Sequence, residues 1–257
     1  MNEKDLADLR YAKSLLENPG LIARLSNVVG TPIEKALAVL PEKASEIIHN
    51  ATRKALETAL EMAINTLEDK RQPATNWLHK TFAGLSGAAG GAFGLPALAV
   101  ELPVSTAIIL RSIADIARSE GENIKDPATR LACLEVFALG GKLDSDNAAE
   151  SGYFAVRAAL AKAITEATQY ITGREIIQES APPLVRVVTQ IATRFGIPVT
   201  EKAMAQSLPV VGAAGGALLN TLFVDHFQNM SRGHFIVRRL ERIYGPEVVK
   251  SAYLQLV

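Results

Sequence analysis

A few polar side chains stand inside apolar stretches of this sequence, where a charge is costly unless something pairs with it. Glu101 is the first charge after 20 uncharged residues. Ser105, Ser112 and Asp115 follow it at offsets of 4, 11 and 14, nearly one face of a helix. Arg111 and Asp115 have the i,i+4 spacing of an intrahelical ion pair, worth a few tenths of a kcal/mol. Glu135 sits between Leu134 and Val136, and Asn220 is followed by Asp225 and His226. Candidate basic partners are Arg111, Arg118, His226 and Arg232. Three chemistries are open to such a set. It could be an ion-pair network pinning helices, a polar cluster contacting a ligand at the head of an apolar pocket, or an acid/base site on Glu101, Asp115 and His226. The last would need two carboxyls with separated pKa values.

Recognisable catalytic spacings are missing. Gly140-Gly141-Lys142 lacks both the upstream glycine and the following Ser/Thr of a phosphate-binding loop. His226 and His234 lie eight apart, without the acidic partner of a zinc-protease helix. Gly84-Leu85-Ser86-Gly87 misses the nucleophile-elbow pattern by one position. Cys133, the single cysteine, lies in the apolar string LACLEVFALG and reads as an inert buried thiol. It permits no intramolecular disulfide, which suits a reducing compartment. The reading leans away from an enzyme and calls for no metal or cofactor.

The elements that must position these groups are helices. Thr31-Pro32-Ile33-Glu34 has the form of a capping box. From Ala44 to Leu67 apolar residues recur at steps of three and four, the stripe of a long helix ending near Lys70. Leu102-Pro103 would open another, running through Arg118 to a stop at Gly121. Asp126-Pro127 repeats the N-cap and N1 signature, and Gly140-Gly141 ends that helix. Further helical patterns cover about 147–171, 183–195, 200–207, 209–231 and 234–244, with a last helix after Pro246. No stretch has the alternation of a strand. The expectation is an all-α, single compact domain over 1–257, with about ten helices and two central Gly/Ala-rich ones.

Charge is balanced overall, with 27 basic and 27 acidic residues, which argues against a nucleic-acid partner held by a basic field. Its distribution is uneven. Residues 81–180 carry 8 basic and 12 acidic side chains, residues 181–257 carry 8 and 4. The positive end gathers at Arg232, Arg238, Arg239 and Arg242, which either face the acidic middle of the chain or offer a patch to anionic lipid. Two runs, 81–100 and 203–224, have no charge at all and share the string GAAGGA. Gly87 with Gly91, Gly90 with Gly94 and Gly212 with Gly216 are four apart, and Gly215 adds a further glycine to the second run. That spacing clears a helix face for close approach of another backbone, or for insertion into a membrane. As constitutive spans both fit badly, because small residues dominate and Pro96, Pro209 and Asn220 interrupt.

These segments resemble the EcsC protein family. The match lies in GGAFGLPALAVELP (Gly90–Pro103) with RSIADIARSEGE (Arg111–Glu122), and in SLPVVGAAGGALLN (Ser207–Asn220) with RRLERIYG (Arg238–Gly245). Glu17-Asn18-Pro19 fits the family's opening, and the likeness spans roughly 10–250. Glu101 stands where the family pattern has Asp, so the acid is kept. The resemblance implies a helical fold and a membrane-linked context, since the family takes its name from a bacterial component encoded with an ABC transporter. It carries over no catalytic residue.

The expected function is that of a non-enzymatic, membrane-associated helical protein, binding membrane surface or lipid and working as an accessory to an ABC transporter or secretion system. Its expected place is the cytoplasm, peripheral to the inner face of the cytoplasmic membrane; the start MNEKDLADLR shows no signal-peptide pattern. The alternative is an enzyme or carrier for a lipid-like molecule, using Glu101, Asp115 and His226. A transporter protein is the candidate protein partner.

Overall fold

In the computed structural model the described residues are 1–17, 21–30, 40–65, 94–141, 152–174, 176–207 and 213–256. They form nine helices and no strand: α1 (Glu3–Glu17), α2 (Leu21–Val29), α3 (Glu42–Asn65), α4 (Gly94–Ser119), α5 (Pro127–Leu139), α6 (Gly152–Thr172), α7 (Pro182–Ser207), α8 (Ala213–Tyr244) and α9 (Pro246–Gln255). The all-α expectation holds. Thr31–Glu34 and the end of the helix expected near Lys70 lie outside the described residues.

The longest helix, α8, is the axle. Its 32 residues touch α1, α2, α4, α5, α7 and α9. Side-chain bonds fix the directions. Gln228 donates to Ser112 Oγ at 2.8 Å, and ten residues further along each chain Arg238 donates to Glu122 at 2.9 Å. α4 and α8 therefore run parallel. Phe195 packs on Phe227 and Lys202 lies over the Phe223 ring, so α7 runs antiparallel to α8. At the centre the rings of Phe137, Phe195, Phe223 and Phe227 meet with centroids 4.9–6.2 Å apart, tilted or edge-on.

Several expected helix breaks are absent, each for a local reason. α4 already runs at Gly94, so Pro103 is inside it and does not begin it. The carbonyl that Pro103 deprives of its donor is that of Ala99, an exposed residue that water can reach. Gly196 and Pro198 do not divide α7, which continues unbroken from 182 to 207. Nor does Gly233 divide α8. A Cβ there would lie 2.6 Å from Leu16 Cγ and 3.0 Å from the Ala12 carbonyl, so this glycine admits α1 against α8. The stops that do work are Gly121 and Gly245, at φ +81° and +87°, a conformation only glycine adopts cheaply. Asp126 caps α5 as expected, accepting from the Ala128 N–H at 3.1 Å ahead of Pro127.

The two ends of the fold are tied together. Asp8 accepts from Arg239, Asp5 accepts from the Tyr244 hydroxyl at 2.7 Å, and Lys13 donates to the Tyr253 and Leu256 carbonyls at the end of α9. A cation there satisfies orphan carbonyls and complements the helix dipole.

Candidate functional site

Glu101 and Lys202 form a buried pair of opposite charges. Lys202 Nζ lies 2.7 Å from Glu101 Oε1, with side-chain exposures of 0% and 7%, and rests 4.8 Å from the Phe223 ring centroid. The pair joins α4 to α7 beside α8. Its position is telling: Glu101 ends the first uncharged run and Lys202 is the last charge before the second. That shared boundary was a signal in the sequence, and the expected arginine and histidine partners missed it.

The remaining candidates do not assemble around Glu101. Asp115 is on the surface, bonded to Arg118 at 2.5 Å, and the 14 residues from Glu101 correspond to about 21 Å of helix. Arg111 is half-buried on α4, one turn before Asp115. Asp225 is half-buried, 3.7 Å from Arg24 of α2. Asn220 is half-buried, its Oδ1 without a hydrogen-bond partner among the described residues. His226 is buried, with Nε2 3.0 Å from the Gly140 carbonyl. A carbonyl only accepts, so this imidazole carries its proton on Nε2. Burial, with the Arg24 charge adding to it, pushes its pKa down to about 4, against the opposing pull of the Gly140 bond. Glu135 lies on α5 facing His234 of α8, far along the bundle from Lys202.

The expected single polar cluster is therefore a set of separate pairings. Helical spacing placed Glu101 and Asp115 on one face; it did not bring them near each other. The grooves at Leu60/Val185/Val188 (about 180 Å³) and Tyr170/Arg174 (about 430 Å³) are lined by neither Glu101, Asp115 nor His226. No group of His, Cys, Asp or Glu among the described residues could hold a metal ion. This geometry gives no support to acid/base chemistry on the three candidate residues.

The arginine cluster is engaged within the chain. Arg238 and Arg242 both reach Glu122, Arg242 also donates to the Glu120 carbonyl, and Arg239 contacts Asp8 and Glu120 at 2.7 and 3.2 Å. Arg232 donates to Asn229 at 2.9 Å. Burial pushes Glu122 up, yet Arg238, Arg242 and the Thr129 hydroxyl together hold it below the ordinary carboxyl range. A positive segment so matched offers little free charge to a lipid surface.

Of the glycines, Gly87, Gly90, Gly91 and Gly212 lie outside the described residues, while Gly94 and Gly215 fall in the first turns of α4 and α8. Among the described residues a Cβ on Gly216 would meet nothing within 4 Å. The tight approaches are elsewhere, at Gly140, Gly141 and Gly233.

Cys133 is fully buried, and burial pushes its thiol up to about 12. Thiol reagents are expected to label it only at the rate at which the fold opens. Labelling of native protein as fast as of denatured protein would contradict this placement.

No helix among the described residues is long and apolar enough to cross a membrane. Comparison with curated proteins and with solved structures found no match. A family model does match, over residues 4–240, and it includes every pairing described above except those of Arg242 and the residues after it. By that match the chain belongs to the EcsC protein family.

Proposed function

We propose that this is a non-enzymatic, membrane-associated helical protein that meets the bilayer with the uncharged turns around Val100 of α4 and Leu218 of α8, on the cytoplasmic side. The observation that carries the reading is the convergence of the described parts of the two uncharged runs, 94–100 and 213–224. α4 and α8 are parallel and in step at Ser112 and Gln228. Val100 precedes Ser112 by 12 residues and Leu218 precedes Gln228 by 10, so both stand roughly 15–18 Å toward the same end. Both are exposed, at 70% and 46%, as are their neighbours Ala99 and Ala217. The Glu101–Lys202 pair lies at that level, buried, and so adds no free charge to the end. Apolar exposure on the uncharged turns around Val100 and Leu218 is the composition that favours the interfacial region of a bilayer. A role beside a membrane transporter, the context that the family name carries, is consistent with such a surface.

Co-sedimentation with phosphatidylcholine vesicles, with and without phosphatidylglycerol, tests the reading. Binding is expected to both, with weak dependence on salt, because the arginines are already paired. The double variant Val100→Asp/Leu218→Asp should lower the partition coefficient about tenfold or more, since two buried apolar contacts become two charges. Absence of binding at low salt would refute the proposal. Binding lost on Arg238→Gln/Arg242→Gln and untouched by the aspartates would move the contact to the arginine face.

A further inference from the structure

Glu135 and His234 form a second buried titratable pair, on which the proposed function does not rest. Their side chains are 7% and 0% exposed, and Nε2 stands 3.9 Å from Oε2, beyond hydrogen-bond reach. The hydrogen bonds around them assign the protons. Arg157 of α6 only donates: its two terminal nitrogens bond both carboxylate oxygens of Glu241, at 2.7 and 3.0 Å, and Nη1 also donates to the Tyr153 hydroxyl at 3.3 Å. Tyr153 therefore gives its own proton to His234 Nδ1, 3.1 Å away. The imidazole must then carry its single proton on Nε2, aimed at Glu135. A doubly protonated ring would leave the buried tyrosine proton without an acceptor.

Glu135 in turn stands beyond hydrogen-bond reach of the imidazole, and burial favours its neutral form over the carboxylate. The charged and titratable groups facing the pair are Tyr153 and Arg157 from α6 and Arg238 and Glu241 from α8. Glu122, after α4, acts on Arg238; Tyr253 of α9 stacks on Tyr153; and Lys13 of α1 lies beyond Tyr253.

We infer that Glu135 and His234 are a one-proton switch at the junction of α5, α6 and α8. With the proton on the carboxyl both groups are neutral and stand apart. When it leaves to solvent, the Nε2–H closes onto the carboxylate and draws α5 toward α8. Burial pushes the Glu135 carboxyl up to about 7, which places the transition near neutrality, and burial with the Arg157 and Arg238 charges holds His234 well below the imidazole range.

The proton count has an unusual consequence for stability. Between the ordinary values of 4.5 and 6.5 the unfolded pair holds one proton, on the imidazole, and the folded pair holds one, on the carboxyl. Folding moves a proton and takes none up, so this pair makes stability independent of pH in that window. Each partner alone would not. A carboxyl raised in the fold contributes stability that is lost as pH rises through its folded value; an imidazole depressed in the fold contributes stability that is lost as pH falls below 6.5.

Imidazole ¹⁵N NMR of the full chain from pH 5.5 to 8.5 tests the switch. His234 should be the neutral Nε2–H form throughout and show one transition near neutral pH, absent in Glu135→Gln. An imidazolium at pH 5.5, or no transition in the wild type, overturns it, and neither result depends on a variant folding. Relative to wild type, the folding constant of Glu135→Gln should fall by up to tenfold per unit as pH drops from 6.5 to 4.5. That of His234→Gln should fall by up to tenfold per unit as pH rises from 4.5 to 6.5. Flat ratios in both variants would likewise overturn the assignment.

Discussion

Gly141→Ala is expected to cost about 3 kcal/mol or more, near the upper end for a single methyl group. Its Cβ would stand 2.0 Å from the Arg194 carbonyl oxygen and 2.9 Å from the carbonyl carbon, both backbone atoms of α7. A flexible side chain could swing aside; a helix backbone cannot. Pro198 explains why that carbonyl is where it is. It supplies no N–H to the residue four before it, so no N–H of that position stands between the Arg194 carbonyl and the turn after α5. For a chain of this size the loss corresponds to a melting temperature lower by roughly 6–12 °C. Gly196→Ala, in the same helix with nothing within 4 Å of the added carbon, should instead gain about 0.5–1 kcal/mol. Thermal or urea denaturation of the two variants checks both signs. Equal effects would mean that the approach at Gly141 is not tight.

Lys202→Met should be as damaging, at about 3–5 kcal/mol, for an electrostatic reason. It keeps most of the side chain's length against Phe223 and leaves the Glu101 carboxylate buried without its partner. Adding Glu101→Met should recover most of that loss, because a buried ion pair is roughly balanced against an apolar pair of similar volume. The signature is thus a large coupling between two positions 101 residues apart, read from a double-mutant cycle in urea. A double variant no better than the worse single one would show that the pair is stabilising in its own right.

Local chemistry was legible in this sequence wherever one residue decides the outcome by itself. The Asp126 cap, the Pro127 start and the left-handed stops at Gly121 and Gly245 are of that kind. Gly196, Pro198 and Gly233 were misread because their meaning depends on a neighbouring helix. Each resembles a break in one dimension, and at Gly233 packing against α1 offsets the helix-propensity cost of about 1 kcal/mol. The polar residues divide the same way. That Glu101 needed a partner followed from its surroundings, and its being Lys202 followed only from how α4 and α7 lie together. Tyr153 and Arg157 gave no signal of their own, since an i,i+4 Tyr–Arg step on an amphipathic helix is ordinary until His234 and Glu241 arrive from 81 and 84 residues away.

The contact between α1 and α8 also sets a timetable for biosynthesis. Leu16 and Gly233 touch across 217 residues of chain, so α1 leaves the ribosome long before the surface that covers it. At about 5–20 residues per second the wait is roughly 10–45 s. Through that interval the stripe of Leu9, Ala12 and Leu16 stays open to water and to chaperones. It is a narrow stripe, with Asp8, Arg10 and Lys13 beside it, a composition that keeps the waiting helix from aggregating before α8 is made.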